Sequence, residues 1–466
     1  MNYDNALNLI LQKQSLGIKP GLTRIYELLN KMDNPQDKIN IIHIAGTNGK
    51  GTTAAALSNA LIKSGKKVGL FTSPWTEDYR EQIKINGNMI TEEEFAFYVE
   101  KYIDCDATEF ELVTAIMYKY FADENVDFAV VECGMGGKGD ATNVEKKNIS
   151  IITSVAIDHT AFLGNTLDEI AAEKSGIIKP DSVCILYPNP KCERIFEKVC
   201  SDNNTKLIKI NDFGDVLKND IACAQVALNE IGLDIKAKNP NLPARQSKVG
   251  NILVDGGHNE DAARALAPKI NNEVAVVAMM KDKNVDAYLS LIAPKCKAIY
   301  ATQVDNARSM SASELALVAK KYCDNVFTVD NAEKAITLAK QNNLSLVCGS
   351  FYLYRQIRKE LNLEGNYSVV SNEDISKYNM KGNAVIKISI EDFKSQYDEL
   401  KSELKETKKY LEQLQEKNKN KISEENLKRI VMDFKQGKEF TNEILKQIIN
   451  RIEVYEDKKV EIEFNF

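Results

Sequence analysis

The nine cysteines contain no C-x-x-C pair, and all of them lie between Cys105 and Cys348. That spacing suggests neither a structural zinc site nor a secreted disulfide framework, and it fits a reducing compartment. Long apolar runs are missing too. No stretch reaches the roughly 18 residues that a membrane-spanning helix needs. The N-terminus, MNYDNALNLILQKQSLG, breaks its apolar residues with Asp, Asn, Gln and Lys and has no signal-peptide core. We therefore expect a cytoplasmic chain with no membrane partner. Neither charge sign dominates: 61 Lys+Arg against 67 Asp+Glu leaves a net charge of -6, so there is no general attraction to nucleic acid. Histidine is scarce, and His43, His159 and His258 show no local spacing of a three-histidine site. Proline is absent beyond Pro294 and cysteine beyond Cys348, whereas the chain after about residue 362 is rich in Lys, Glu and Asn.

What is present before that shift is an alternation of short β-rich runs with helical stretches. INIIHIAG, TTAAALSNALIKSG, KVGLFTS, FELVTAIMYKYFADE, DFAVVECG and ISIITSVAID form a first set. GNILVDGG, EVAVVAMM, KAIYATQV and LSLVCGS form a second, with helices expected near 261–266 and 285–292. Such alternation implies mostly parallel sheets covered by helices, hence an α/β fold with two domains that part between Pro180 and Pro243. In the tail, Phe393, Tyr397, Leu400, Leu404, Leu411 and Leu414 keep near a three-four spacing. A helical hairpin or coiled coil fits that spacing, as does a single charged amphipathic helix. The ending RIEVYEDKKVEIEFNF reads as two alternating strands around a turn at 456–459.

The most informative local pattern is Gly46-Thr47-Asn48-Gly49-Lys50-Gly51-Thr52, between a strand-like run and a long helical stretch. Closely spaced glycines let backbone N–H groups approach phosphate oxygens, and a helix N-terminus adds a favourable field. Lys50 is placed to neutralise the β- and γ-phosphates, and Thr52 to reach a magnesium ion with its hydroxyl. Glu132 ends the run 128–131, where a strand would present its carboxylate at a glycine turn. His159 follows Asp158 after another strand and could hold a phosphate, a water or a carboxylate. Asp255 and His258 lie in DGGHN after a third, at the usual ligand end of an open α/β sheet. Lys174 falls at the end of a helix finishing near Ser175, and composition alone makes it a surface lysine. His43, inside a strand-like run, reads as a hydrogen-bonded structural histidine.

The phosphate loop is shorter than the standard Walker A spacing and resembles that of the Mur-ligase superfamily. The resemblance to the folylpolyglutamate synthase/dihydrofolate synthase family extends through SPWTEDYREQIKING (73–87), FELVTA (110–115) and VECGMGGKGDATN (131–143). It continues through ITSVAIDHTAFLGNTLDEIAAEKSGIIKP (152–180) and VDGGHN (254–259), and covers residues 1–361. It implies an α/β fold: a Mur-ligase-like P-loop ATP-binding domain (1–240) plus a smaller α/β C-terminal glutamate-ligase domain (241–361). It also implies ATP-dependent transfer of L-glutamate to a folate-type carboxylate through an acyl phosphate, as in folate biosynthesis and one-carbon metabolism. The acceptor would be dihydropteroate, a reduced folate, or both. By the same resemblance Ser73, Glu132 and His159 organise Mg²⁺ and Lys174 is carbamylated. Arg245 and Asp255 contact ATP, and His258 holds a phosphate or the incoming glutamate.

Two departures from that pattern stand out. The family's P-G-R-x-E appears as Pro243-Ala244-Arg245-Gln246-Ser247, and the span 180–255 is shorter by some tens of residues, with no recognisable G-x-H-Q block. After a linker at 362–384, residues 385–466 resemble the coiled-coil end of large serine recombinases, which implies an association arm and self-association rather than strand exchange. A catalytically impaired nucleotide-binding scaffold with that arm is the competing class.

Overall fold

A computed structural model describes residues 1–17 and 21–361 together with the backbone of two strands near the C-terminus. Residues 1–363 form one compact unit and 364–466 a second. The first sheet contains β1 (Ile41–Ala45), β2 (Val68–Phe71), β3 (Ile83–Ile85), β4 (Asn88–Met89), β5 (Phe128–Glu132), β6 (Ile149–Ile152), β7 (Val183–Leu186) and β8 (Lys206–Lys209), in the order 4-3-2-5-1-6-7-8. All neighbouring pairs from β2 to β8 are parallel, and β3 and β4 add an antiparallel edge. Strand β1, IIHIA, is buried on both faces, as a central strand between two helical layers must be. Ile42 and Ile44 join the apolar cluster on one side, and Ile41 and Ala45 pack on the other.

The helix that follows β1, Lys50–Lys63, carries Ala54, Ala55, Ala56 and Ala60 and is buried on nearly every side. Small residues let it lie close between the sheet and the helix Val216–Glu230, and a helix apolar all round belongs in a core. The second sheet is built from β9 (Ser247–Val249), β10 (Ile252–Asp255), β11 (Glu273–Val277), β12 (Cys296–Thr302), β13 (Val326–Val329) and β14 (Leu346–Cys348), in the order 13-12-11-14-10-9. Only β9 runs antiparallel to its neighbour. Helices cover both faces, in separate clusters around Val276 and Val277. The helices expected near 261–266 and 285–292 are Glu260–Leu266 and Val285–Ile292. The first sheet ends at β8 and the second begins at β9.

In the second unit, β15 (Ile449–Val454) and β16 (Val460–Phe464) pair antiparallel, with Ile452 opposite Ile462 and Val454 opposite Val460. The expected linker at 362–384 and the spaced residues Phe393 to Leu414 lie outside the described residues. No helix among the described residues is long and apolar enough to cross a membrane.

His43 is structural. Its Nδ1 lies 2.7 Å from Glu145 Oε1, and its Nε2 lies 2.8 Å from Thr142 Oγ1 and 3.1 Å from Cys133 Sγ, all buried. Burial alone would push the imidazole down, but Cys133 and the Glu145 carboxylate outweigh it and push it up to about 10. A histidine raised above its unfolded value stabilises the fold fully below about pH 6.5, and loses that contribution as pH rises through its folded value. His43→Ala also strands the Glu145 charge, which should cost about 3–5 kcal/mol in urea unfolding at pH 6. The gap from wild type should narrow steadily toward pH 10.

Candidate active site

The strand order explains the site. β2, β5, β1 and β6 are adjacent, and their carboxyl ends lead respectively to Ser73, Glu132, the loop 46–49 and the segment 153–159. Residues dispersed over more than a hundred positions therefore meet along one edge, the usual ligand edge of such sheets.

The loop is held from below by the segment after β6. Thr47 N donates to Ser154 O (2.6 Å), Ala156 N donates to Thr47 Oγ1 (3.1 Å), and Ser154 Oγ donates to Asn48 O (3.2 Å). Two glycines are demanded by contact. A Cβ on Gly46 would lie 1.7 Å from Thr153 Oγ1, and one on Gly49, whose φ is 89°, would lie 2.2 Å from Asp220 Oδ1. Gly49 is also the N-cap of the helix Lys50–Lys63, so the helix opens directly onto the loop. Thr52 is buried in its first turn.

Two lysines converge on one carbonyl. Lys50 Nζ donates to Gly46 O (3.2 Å) and Thr47 O (3.3 Å), and Lys174 Nζ donates to Gly46 O (2.9 Å). Lys174 ends the helix Leu167–Ser175 and is 2% exposed, not the surface lysine that composition suggests. Burial, and then the neighbouring Lys50 charge, push its ammonium down to about 7. Glu132 is likewise buried, which raises its carboxyl against the opposing pull of Lys50 and Arg245. Its Oε1 stands 4.0 Å from Lys50 Nζ, and its Oε2 accepts from Ser73 N at 3.2 Å. His159 sits at φ 51°, in the left-handed region, as the N-cap of the short helix Thr160–Leu163.

The second sheet closes the site from the other side. Asp158 Oδ1 accepts from Lys283 Nζ (2.7 Å), and Asp158 Oδ2 accepts from Asn259 Nδ2 (3.2 Å) and lies 3.7 Å from His258 Nε2. Burial would raise the Asp158 carboxyl, yet His159, Lys283 and His258 together hold it well below the usual range. Asn48 and Asn259 exchange reciprocal amide hydrogen bonds of 3.1 Å. Asp255, at the end of β10, accepts from Gly257 N (2.7 Å), and burial raises its carboxyl.

Arg245 reaches across from the stretch before β9. Its Nη2 is 3.7 Å from where a Cβ on Gly51 would sit, and its guanidinium lies 4.2 Å from the centre of the Phe351 ring. Flanking Arg245, Ala244 and Gln246 have φ of 53° and 51°. The glycine expected at 244 is thus replaced by a residue that keeps the left-handed conformation glycine adopts without strain. The short span 180–255 still delivers both the helix Val216–Glu230 and Arg245 to the phosphate loop.

Sequence reasoning missed Lys283, Asp220 and Phe351. Lys283 lies in a charged turn shortly beyond a strand end, a usable signal. Asp220 is a lone acid within an apolar helix face, and only the fold reveals that it abuts Gly49. Among the described residues no three His, Cys, Asp or Glu side chains converge as a metal site on their own.

The glycine loop 46–52 thus lies at the carboxyl edge of one α/β sheet, with Arg245 from the second half beside Gly51 and His258 facing Asp158. Residues 44–231 match the Mur ligase middle domain, and 244–351 match the Mur ligase glutamate ligase domain. The chain is 32% identical to a probable dihydrofolate synthetase of Schizosaccharomyces pombe, over 74% of this chain and 99% of that protein. It is 30% identical to the dihydrofolate synthase/folylpolyglutamate synthase of Bacillus subtilis, over 77% and 99%. A crystal structure of bifunctional folylpolyglutamate synthase/dihydrofolate synthase from Yersinia pestis, complexed with AMPPNP and a Mn ion, superposes with a TM-score of 0.70 at 25% identity, covering 78% of this chain and 98% of that one. The chain belongs to the dihydrofolate synthase/folylpolyglutamate synthase family.

Asp220 gives this site a testable pH signature. Burial pushes its carboxyl up to about 8, with Arg245 opposing and Asp215 adding to the rise. An acid raised in the folded state lowers stability as pH climbs from its unfolded value to its folded one. Asp220→Asn should therefore raise the melting temperature at pH 9, with a gain that shrinks toward pH 5 in a thermal-shift series.

Proposed function

We propose that the protein joins L-glutamate to a folate-type carboxylate, either dihydropteroate or a tetrahydrofolate polyglutamate, at the expense of ATP. The observation that carries this reading is the convergence of Lys50 and Lys174 on the Gly46 carbonyl, with Arg245 of the glutamate ligase domain beside Gly51.

The reaction has two steps. An oxygen of the acceptor carboxylate attacks the γ-phosphorus of ATP, the bond to the β-phosphate oxygen breaks, and ADP leaves with that electron pair. The glutamate amine then attacks the acyl carbon, phosphate departs with the C–O electrons, and the nitrogen gives up a proton as the amide forms. Lys50 and the loop N–H groups meet charge on the transferring phosphates. Arg245, whose guanidinium lies 4.2 Å from the centre of the Phe351 ring, would contact the nucleotide, as would Asp255 at its ribose, and His258 would take the phosphate or the incoming glutamate. Contact between the domains through Asp158 limits water near the acyl phosphate.

Ser73, Glu132, His159 and Thr52 would hold Mg²⁺. The set suits the ion because a buried carboxylate with its nearest ammonium 4.0 Å away is short of positive charge, and because hard hydroxyl and carboxylate oxygens leave positions for phosphate and water. The ion would supply charge neutralisation at the transferring phosphoryl group. Lys174, pushed down to about 7, holds much of its amine neutral at physiological pH, the form that adds CO₂ to give a carbamate.

Residues 1–240 are proposed as the ATP-binding domain, 241–361 as the glutamate ligase domain and 385–466, after a linker at 362–384, as an association arm. Light scattering on the full chain and on one lacking 366–466 tests the arm, and the same number of copies per particle in both would refute it.

The reaction is tested by ATP-dependent incorporation of labelled L-glutamate into dihydropteroate and tetrahydrofolate. Product is expected with at least one acceptor, and Lys50→Ala should reduce it at least a hundredfold, the scale on which a lost charge-stabilising group acts. ATP binding without product from either acceptor would overturn the ligase and leave the scaffold reading.

A further inference from the structure

The segment 76–78 is gathered on one carboxylate: Glu81 accepts hydrogen bonds from Thr76 N (2.8 Å), Thr76 Oγ1 (2.7 Å), Glu77 N (3.1 Å) and Asp78 N (3.1 Å), just beyond Ser73 and Trp75. Ser73 is tied to Glu132 Oε2. Trp75 and Glu77 are gripped from the other domain. The Arg355 guanidinium lies 3.3 Å from the centre of the Trp75 ring, and Arg358 Nη1 forms an ion pair with Glu77 Oε2 at 2.8 Å. Both partners of that pair are about three-quarters covered, with side-chain exposures of 26% and 23%, so the attraction is less screened than at an open surface. Arg355 makes no ion pair among the described residues, and the indole face is what receives its charge.

Both arginines belong to one element. Arg355 lies in the helix Phe351–Ile357 and Arg358 is its C-cap, three positions apart and therefore neighbours on one face. The same helix begins with Phe351, which supports Arg245 and packs so closely on Gly256 that a Cβ there would lie 2.4 Å from Phe351 Cδ1. The His258 ring is edge-on to Phe351 at 6.4 Å. A strut of about 10 Å thus holds the residues read as nucleotide contacts at one end, and the loop of Ser73 at the other.

We propose that Arg355 and Arg358 are positioning residues, a clasp that acts through Trp75 and Glu77 to set Ser73 and Glu132 for the metal ion once the ligase domain is seated. The inference rests on reading Ser73 and Glu132 as metal-organising. It adds that their geometry is completed from the second domain, so nucleotide contacts and metal affinity are coupled through one helix.

Trp75 is the only tryptophan, so intrinsic fluorescence of the full chain reports the clasp directly. The probe is Mn²⁺ with ADP, with free Mn²⁺ followed by electron paramagnetic resonance and Trp75 emission recorded in parallel. Arg358→Gln should weaken Mn²⁺ binding about tenfold, the scale on which residues that orient metal ligands act, while metal-free ADP affinity changes less than twofold. Arg358→Lys should restore most of the loss. Arg355→Met should abolish the Trp75 emission change that MnADP causes in wild type. If wild type binds Mn²⁺ but Arg358→Gln leaves its affinity within twofold, the clasp alone is overturned. The same follows if Arg358→Gln weakens ADP and Mn²⁺ equally and Lys rescues neither. If wild type itself binds no Mn²⁺ with ADP, the metal reading fails and takes the clasp with it.

Discussion

Asp158 is the constraint on which the two halves depend. One carboxylate, supplied by the turn after β6, binds Lys283 and Asn259 of the second domain and faces His258. Asn259 in turn pairs with Asn48 inside the phosphate loop. The loop is therefore not simply a feature of the first sheet, because its middle residue is registered against the second. With three positive or donating groups around it, Asp158 stays ionised despite its burial, and an ionised carboxylate is what keeps Lys283 buried at 8% exposure. Removing either partner of such a pair would leave an uncompensated charge at the domain contact.

Local chemistry was legible from the sequence where it is local in the chain. The loop 46–52 is a contiguous glycine-rich motif and was recognisable as one, although the contacts that require Gly46 and Gly49 come from Thr153 and Asp220, far along the chain. The strands flanking it could be read because β1 and β5 are short, mostly apolar runs, the first interrupted only by His43 and the second ended by Glu132. The helices near 261–266 and 285–292 were also where the sequence placed them, the second capped by Asn284. Burial was not legible for Lys174. A lysine on a short helix carries no sign that its tip will run under the phosphate loop to the Gly46 carbonyl.

Partners brought together by topology alone were out of reach. Nothing in SPWTEDYREQ indicates that Trp75 and Glu77 meet arginines some 280 residues later, because that contact exists only once the second sheet has folded beside the first. The lost glycine at 244 shows a related limit. The sequence marks a departure from the family pattern, and the structure places Ala244 at φ 53°, in the left-handed region that glycine adopts without strain. Ala244 is fully buried against the second core, so packing can offset a left-handed cost of about 1–2 kcal/mol.

Charge explains why the parts need one another. Lys50 and Lys174 share a carbonyl acceptor, and like charges so close disfavour each other, which is one reason the Lys174 ammonium is pushed down. Glu132 and Asp220 are buried acids with too little positive charge nearby, and both are pushed up. Neither imbalance cancels the other, since Glu132 Oε1 stands 4.0 Å from Lys50, beyond hydrogen-bond reach. A polyphosphate between the lysines would relieve the first imbalance, and a divalent cation beside Glu132 the second. The two would then be drawn into the cleft together more strongly than either alone, because each supplies the charge that the other's neighbours lack. Arg245 is the swing charge in this arrangement: it pulls on Glu132 and Asp220 of the first half and on Asp255 of its own, and its guanidinium lies over Phe351 of that same half. The half that carries the second sheet therefore supplies part of the charge balance of the first.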